Sequence, residues 1–382
     1  MSAASPKTTS ASRRRAGRTS GGLASAPLAR SLGALGAVPL PLLLAGLAVA
    51  IALSVVVSVG IGAVPIPAGE VARILLHNLT NGLLGGRADW SPTDEEIVWS
   101  FRAPRVLLAV VVGAGLSVAG TTMQAVVRNP LADPYILGVS EGAALGAAVV
   151  VVLGVAAVGG LPLSVAAFLG ALGAFGLVYL FSQQGERVTP AHLVLAGVAL
   201  SYLFSSGTSF LVLKAESAQG NGAQAILFWL MGSLAAADWT SLGLPAAAVL
   251  VTVAVLLTQA RGLNAILLGE ESAVGLGIDV QRLRLLSVSV AALLTGTVVA
   301  VSGGIGFVGL MIPHITRLLV GADHRRVLPA AALSGGLFLL WVDTAARTVL
   351  APDELPLSII TAIIGTPFFL WLMRRKGKGA SA

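Results

Sequence analysis

Glu141, His314 and Asp343 are ionisable side chains set in long apolar runs. Such groups cost about 2.5–3.5 kcal/mol each on membrane-insertion scales, so those deep in a span mark ion coupling. Glu141 falls near the start of one run and Asp343 near the end of another, neither clearly central. His314 lies in LMIPHITR, where Pro313 frees a backbone carbonyl and Arg317 follows one turn on. A structural histidine beside a kink is the plainer account of it, a proton relay the sharper one. Three arginines offer different chemistry. In SFRAPRVLL, Arg102 and Arg105 flank Pro104, which suits a helix first turn, and Arg347 ends a later run. Guanidinium forks there can meet carboxylates of a docking protein, or they can snorkel at an interface. Finally, GEESAVGLGIDV (269–280) is polar between two apolar runs. It is either a solvated loop or a short amphipathic helix, with Ala273, Leu276 and Val280 on one stripe and Glu270, Glu271 and Asp279 toward water, offered to a partner's groove.

Several function classes are excluded. There is no G-x-x-x-x-G-K-[ST] to cradle phosphate; the Gly377–Lys378 pair is followed by glycine. No HExxH is present and no cysteine, which removes thiolate metal sites and Cys nucleophiles. Energy for any active process must come from ions or from another chain.

The elements that hold these residues are membrane spans. The chain is 56% hydrophobic and 11% charged, against about 25% charged in a soluble domain. With 46 glycines and 5% aromatics it suits close helix packing in lipid. Ten runs reach span length or nearly so, at 39–62, 106–127, 136–157, 162–181, 191–213, 240–260, 285–302, 305–320, 327–346 and 355–373. The piece 226–237 is too short to cross and reads as an outer interfacial or re-entrant helix. Placing the N-terminus inside puts 18 of the 24 Lys and Arg on the inner side, so both termini are expected in the cytoplasm. The net charge of +7 then reflects retained cytoplasmic cations, with no nucleic-acid partner implied. Residues 1–37, rich in Ser, Thr, Arg and Gly, read as a disordered basic tail, and the uncharged run that follows is too long for a signal peptide. RAPRVLLAVVVGAGLSVAG and RLRLLSVSVAALLTGTVVAVSG echo each other from opposite sides, and each precedes a Gly- and Pro-punctuated stretch, as in inverted repeats.

Five blocks in order, together with WLMGSL (229–234), closely resemble the FecCD-type permeases of ATP-binding-cassette importers for iron–siderophores, haem and cobalamin. They are FRAPRVLLAVVVGAGLSVAG with QAVVRNPLADPYILGVSEGAALGA (101–147), LLGEESAVGLGI (267–278), GGIGFVGLMIPHITRLLVGADHRRVLP (303–329), LFLLWVDTAAR (337–347) and ELPLSIITAIIGTPFFLWLM (354–373). The resemblance implies an all-α membrane protein of about ten transmembrane helices, the type II ABC importer permease fold, over 38–375. It further implies a cytoplasmic coupling region at 261–284 and leaves a cytoplasmic tail at 376–382, while the long basic tail at 1–37 is a departure for which the family suggests no role. It implies a permease dimer, formed with itself or a related subunit, two cytoplasmic ATPase subunits that bind ATP and Mg, and an extracytoplasmic substrate-binding protein. No cofactor or metal site is implied in this chain.

By the same resemblance, Leu268, Gly269, Glu270, Glu271, Ser272, Ala273, Gly275, Leu276 and Gly277 seat in the ATPase. Arg102, Arg105 and Arg347 meet glutamates of the binding protein. Asn129, Pro130, Asp133 and Pro134 form the inner turn after the second span, while Gly306, Gly309, Pro313, His314 and Arg317 pack near the inner mouth. Glu141 departs from the family's usual Ser, Asn or Gln and is expected to face the pathway or a neighbouring helix. The rival reading is an ion-coupled secondary transporter acting alone.

Overall fold

Glycine and proline set where the apolar runs break into helices. The computed structural model describes residues 39–86, 89–184, 187–217 and 222–377; the expected tail over 1–37, Arg87 and Lys378 lie outside them. The helices are α1 (Leu40–Gly60), α2 (Ala68–Leu79), α3 (Pro92–Val127), α4 (Val139–Leu153), α5 (Leu163–Ser182), α6 (Pro190–Ser217) and α7 (Gly222–Leu230). They continue as α8 (Gly243–Thr258), α9 (Ala260–Leu267), α10 (Glu270–Gly275), α11 (Val280–Ser302), α12 (Val308–Val320), α13 (His324–Thr348) and α14 (Leu357–Gly377). A two-residue antiparallel ribbon, Gln183–Gln184 with Arg187–Val188, joins α5 to α6.

Each of the ten expected runs is helical, but they are not ten equal spans. Among the described residues, seven helices are long and apolar enough to cross a membrane: α1, α3, α5, α6, α11, α13 and α14. The α8–α9 pair supplies an eighth path, bent by 63°. α4, with 15 residues, and α12, with 13, fall short of the ~20 that a bilayer needs. These two short helices follow α3 and α11, the two spans whose sequences echo each other. In both cases irregular backbone takes up part of the depth. Gly309, at the start of α12, packs on Leu116 and on Pro134 of the turn before α4, beside the middle of α3.

Such backbone is tolerated at membrane depth only where the protein satisfies its polar groups. Tyr135 does so for Ile305, its hydroxyl accepting from the Ile305 N–H and donating to the Ile305 carbonyl, each at 3.0 Å. The Ser233 N–H donates to Ser302 O at 2.9 Å, Leu357 N–H to Gly232 O at 3.0 Å, and Ser358 Oγ to Gly304 O at 2.7 Å. Gly232, in the left-handed region at φ +76°, ends α7 at Leu230, so the helix expected over 226–237 stops early and its second half is a turn.

The centre of the bundle is α3, enclosed by α13, α11 and α12; α4, α5 and α6 form a flanking group. Small residues make this possible. A methyl on Gly335 would overlap Ser117 and the Gly113 carbonyl, and one on Gly142 would meet Ala174 and Gly170, so α3–α13 and α4–α5 touch backbone to backbone.

Candidate coupling and docking sites

The inner candidate is GEESAVGLGIDV. Gly269, at φ +119°, turns the chain into α10, and Gly277, at φ +77°, turns it out again. The Ile278 N–H closes the loop on Ala273 O at 3.1 Å, with Ala273 and Val280 buried. Leu276 does not share their stripe: it stands 68% exposed beside Leu268 and Val274, because the turn at Gly277 reverses the chain before the helical stripe is complete. Glu271 and Ser272 are also exposed.

Glu270 differs from its expected placement in water. Its Oε1 accepts from Arg284 at 2.7 Å and from Arg128 at 3.4 Å, and Arg284, only 2% exposed, also donates to Val188 O at 2.8 Å. One carboxylate therefore pins the short helix to the ends of α3 and α11. Glu270→Gln should leave the buried guanidinium under-compensated, at about 1–3 kcal/mol. The expected result is faster hydrogen exchange over 268–277 with unchanged exchange in α3 and α11.

The turn after α3 is held by its own side chains. Arg128 takes the left-handed conformation, Asn129 Oδ1 accepts from the Leu131 N–H, and Asp133 Oδ1 from the Tyr135 N–H, both at 2.9 Å. Pro130 lies within that turn, and Pro134 begins the one-turn helix that leads to Gly138. Glu141 is in the first turn of α4, its Oε2 buried without a hydrogen-bond partner. Gly138 to Gly142 has the spacing G-x-S-x-G, but here it starts a helix after a 3-10 turn instead of joining a strand to a helix, so Ser140 is no nucleophile elbow.

In α12, Pro313 removes the N–H that would bond Gly309 O. Gln124 of α3 takes over that carbonyl at 3.3 Å and Leu310 O at 3.2 Å, while its own Oε1 accepts from Arg317 at 2.6 Å. His314 stands edge-on to Phe368 of α14, ring centroids 6.1 Å apart, and Gly306 accepts from the Val308 N–H at 2.9 Å.

The outer arginines are engaged within the chain. Arg102 donates to Val59 O at 2.9 Å and Val64 O at 2.7 Å, closing the end of α1. Arg105 donates to Asp343 at 2.9 Å and grips Glu354 with both terminal nitrogens, at 2.8 and 2.9 Å. Arg347 donates to the other Asp343 oxygen at 3.1 Å and to Ser58 O at 3.2 Å. Asp343 is thus fully buried between two arginines. Glu354, the first residue of the block 354–373, completes the pairing of Arg105. Among the described residues no cluster of three or more His, Asp or Glu is placed to hold a metal ion.

A helical bundle of this build, with buried irregular backbone at membrane depth and a short helix displayed at one end, is that of a multi-pass membrane permease. The chain belongs to the FecCD transport family, which matches residues 47–375. It is 41% identical over 300 residues to the hemin transport system permease protein HmuU of Yersinia pestis, covering 77% of this chain and 89% of that protein. It is 44% identical over 283 residues to the cobalamin import system permease protein BtuC of Halobacterium salinarum, covering 74% of each. A solved structure described as an inward-facing metal-chelate type ABC transporter matches with a TM-score of 0.74 and 34% identity, over 88% of this chain and 99% of its own. The family that the five sequence blocks resemble is the one to which the chain belongs.

Proposed function

We propose that this chain is the membrane-spanning permease subunit of an ATP-binding-cassette importer in a prokaryotic cell membrane, moving a bulky metal chelate such as an iron–siderophore, haem or cobalamin by alternating access. The observation that carries the reading is α10. With its flanking residues it presents Leu268, Val274 and Leu276 outward while Glu270 ties its root to two spans. An apolar knob rigidly attached to moving helices is what a partner needs in order to transmit force. Two cytoplasmic ATPase subunits bind ATP and Mg and receive this knob, and a second permease subunit completes the pathway. An extracytoplasmic binding protein docks at the corner formed by Arg102, Arg105 and Arg347. There an approaching carboxylate reaches Arg105 by sharing it with Glu354, whose side chain is 42% exposed.

Ion coupling without an ATPase fits less well, since Asp343 is already neutralised by Arg105 and Arg347. Co-purification separates the two readings. Leu268→Asp with Leu276→Asp should strip a stoichiometrically bound ATPase, with about 10-fold or greater loss of affinity from two exposed leucines that the partner would cover. Glu271→Arg, on the exposed side, should weaken it less. Uptake by the isolated chain driven by a proton gradient alone would overturn the reading.

A further inference from the structure

The coupling segment meets the bundle at a second joint, made by Asn264 of α9, Asp323 and His324. The Asn264 Nδ2 donates to Asp323 Oδ1 at 2.7 Å, which fixes which end of the amide is nitrogen. The amide oxygen then accepts from the His324 backbone N–H at 2.9 Å and from its ring Nδ1 at 2.7 Å. An amide oxygen only accepts, so Nδ1 carries the ring proton. The other ring nitrogen, Nε2, is buried without a hydrogen-bond partner, and the His324 residue is 1% exposed. Asp323 Oδ1 also accepts from the Arg325 N–H at 3.0 Å, capping α13, and these two donors hold its carboxyl below the usual carboxylate range.

The first turn of α13 is therefore capped partly by its own Asp323 and partly by a side chain of α9, 60 residues earlier in sequence. α9 runs through Leu268 and Gly269 directly into α10, and it packs on α13 and α3. α13 is 25 residues long, about 37 Å at the α-helical rise, and its far end carries Asp343 and Arg347 of the outer cluster. One continuous helix, with Pro329 in its second turn, thus runs from the coupling segment to the outer arginines. Glu270 joins the same segment to α3 and α11, and α13 packs on α3 along its length; the Asn264 clasp adds a direct link from the segment to the first turn of α13.

We infer that Asn264, Asp323 and His324 are positioning residues that pass displacement of the coupling segment along α13 to the outer face. The inference rests on the proposed reading of α10 as the ATPase contact. It is not a matter of stability alone, because a half-buried amide whose oxygen and nitrogen are both engaged, against a buried imidazole, specifies one arrangement of two helices where an apolar contact would let them slide.

The test uses the full complex with its co-purified ATPase in lipid nanodiscs. The chain has no cysteine, so Val349→Cys, at the exposed outer end of α13, accepts a single fluorophore. ATP should change the label's emission in the otherwise native chain. In Asn264→Ala and in the near-isosteric Asn264→Leu, the ATP-evoked change should fall about fivefold or more, the low end of typical coupling energies. Bound ATPase and ATP turnover should stay near native. An undiminished emission change with ATPase bound would overturn the inference and leave the proposed function standing. Loss of ATPase or of folded protein in both variants would overturn it too, by assigning the clasp to docking or folding. A native chain that holds no ATPase would instead defeat the proposed function itself.

Discussion

Asp343→Ala is expected to lower the thermal midpoint of the detergent-solubilised protein sharply, read from the emission of its six tryptophans. The Asp343 carboxylate is fully buried, one oxygen serving Arg105 and the other Arg347, whose side chains are only 11% and 8% exposed. Removing one member of a buried pair costs about 3–5 kcal/mol, because the remaining charge stays in a poorly solvated place. Some relief remains, since Arg105 keeps Glu354 and Arg347 keeps the Ser58 and Ile61 carbonyls. Glu354→Ala should therefore be milder, its carboxylate being partly in water. The decisive comparison is Asp343→Leu with Arg347→Met. If uncompensated charge is the cause, removing both partners should recover much of the loss, as replacement of buried pairs by apolar residues does elsewhere. A midpoint for Asp343→Ala equal to that of the native protein would show that water reaches the cluster and that the arginines are solvated forks.

That cluster also shows what the sequence could and could not tell. Arg102, Arg105 and Arg347 were visible as scarce cations at span ends, and an external partner was a sound expectation for them. The donors of Arg102 go to the Val59 and Val64 carbonyls, those of Arg347 to Asp343, one helical turn before it, and to Ser58, and those of Arg105 to Asp343 and to Glu354, 249 residues away. An i,i+4 pair such as Asp343–Arg347 is legible from spacing. A contact across that sequence distance is not, because it depends on how α3 and α13 cross.

The same division holds inside. Pro313 announced a freed carbonyl four residues back, at Gly309. That Gln124 of α3 fills it depended on the close passage of two glycines, Gly120 and Gly309. In GEESAVGLGIDV periodicity offers a short helix with Ala273 on its apolar stripe as one of two readings, and the chain forms that helix with Ala273 buried. Periodicity failed at Leu276 because Gly277 adopts a positive φ and folds the chain back, and it failed at Glu270 because the guanidinium it meets comes from α11. Span counting finds a helix in each of the ten runs, but α4 and α12 are too short to cross by themselves, since hydropathy sees an apolar run whether it is helix or satisfied irregular backbone.

Gly120→Val should be the most damaging substitution of a small residue in the core of the bundle. A methyl at this position would overlap the carbonyl carbon, oxygen and Cα of Gly309, which are backbone atoms and cannot rotate away. α3 and α12 would have to separate, and the bonds from Gln124 to Gly309 and Leu310 would break with them. Overpacking a core ordinarily costs about 1–3 kcal/mol, and an obstacle made of main chain places this variant at or above the top of that range. The loss is not offset by burying more apolar surface, since lipid solvates the added methyls as well as the protein does. Gly46→Val makes the matching control: it lies in α1 with nothing within 4 Å of where its Cβ would stand. The expected outcome is a near-native yield of monodisperse protein on size-exclusion chromatography for Gly46→Val and little or none for Gly120→Val. Equal yields would mean that α3 and α12 are not in backbone contact, and the Gln124 bridge that answers Pro313 would lose its basis.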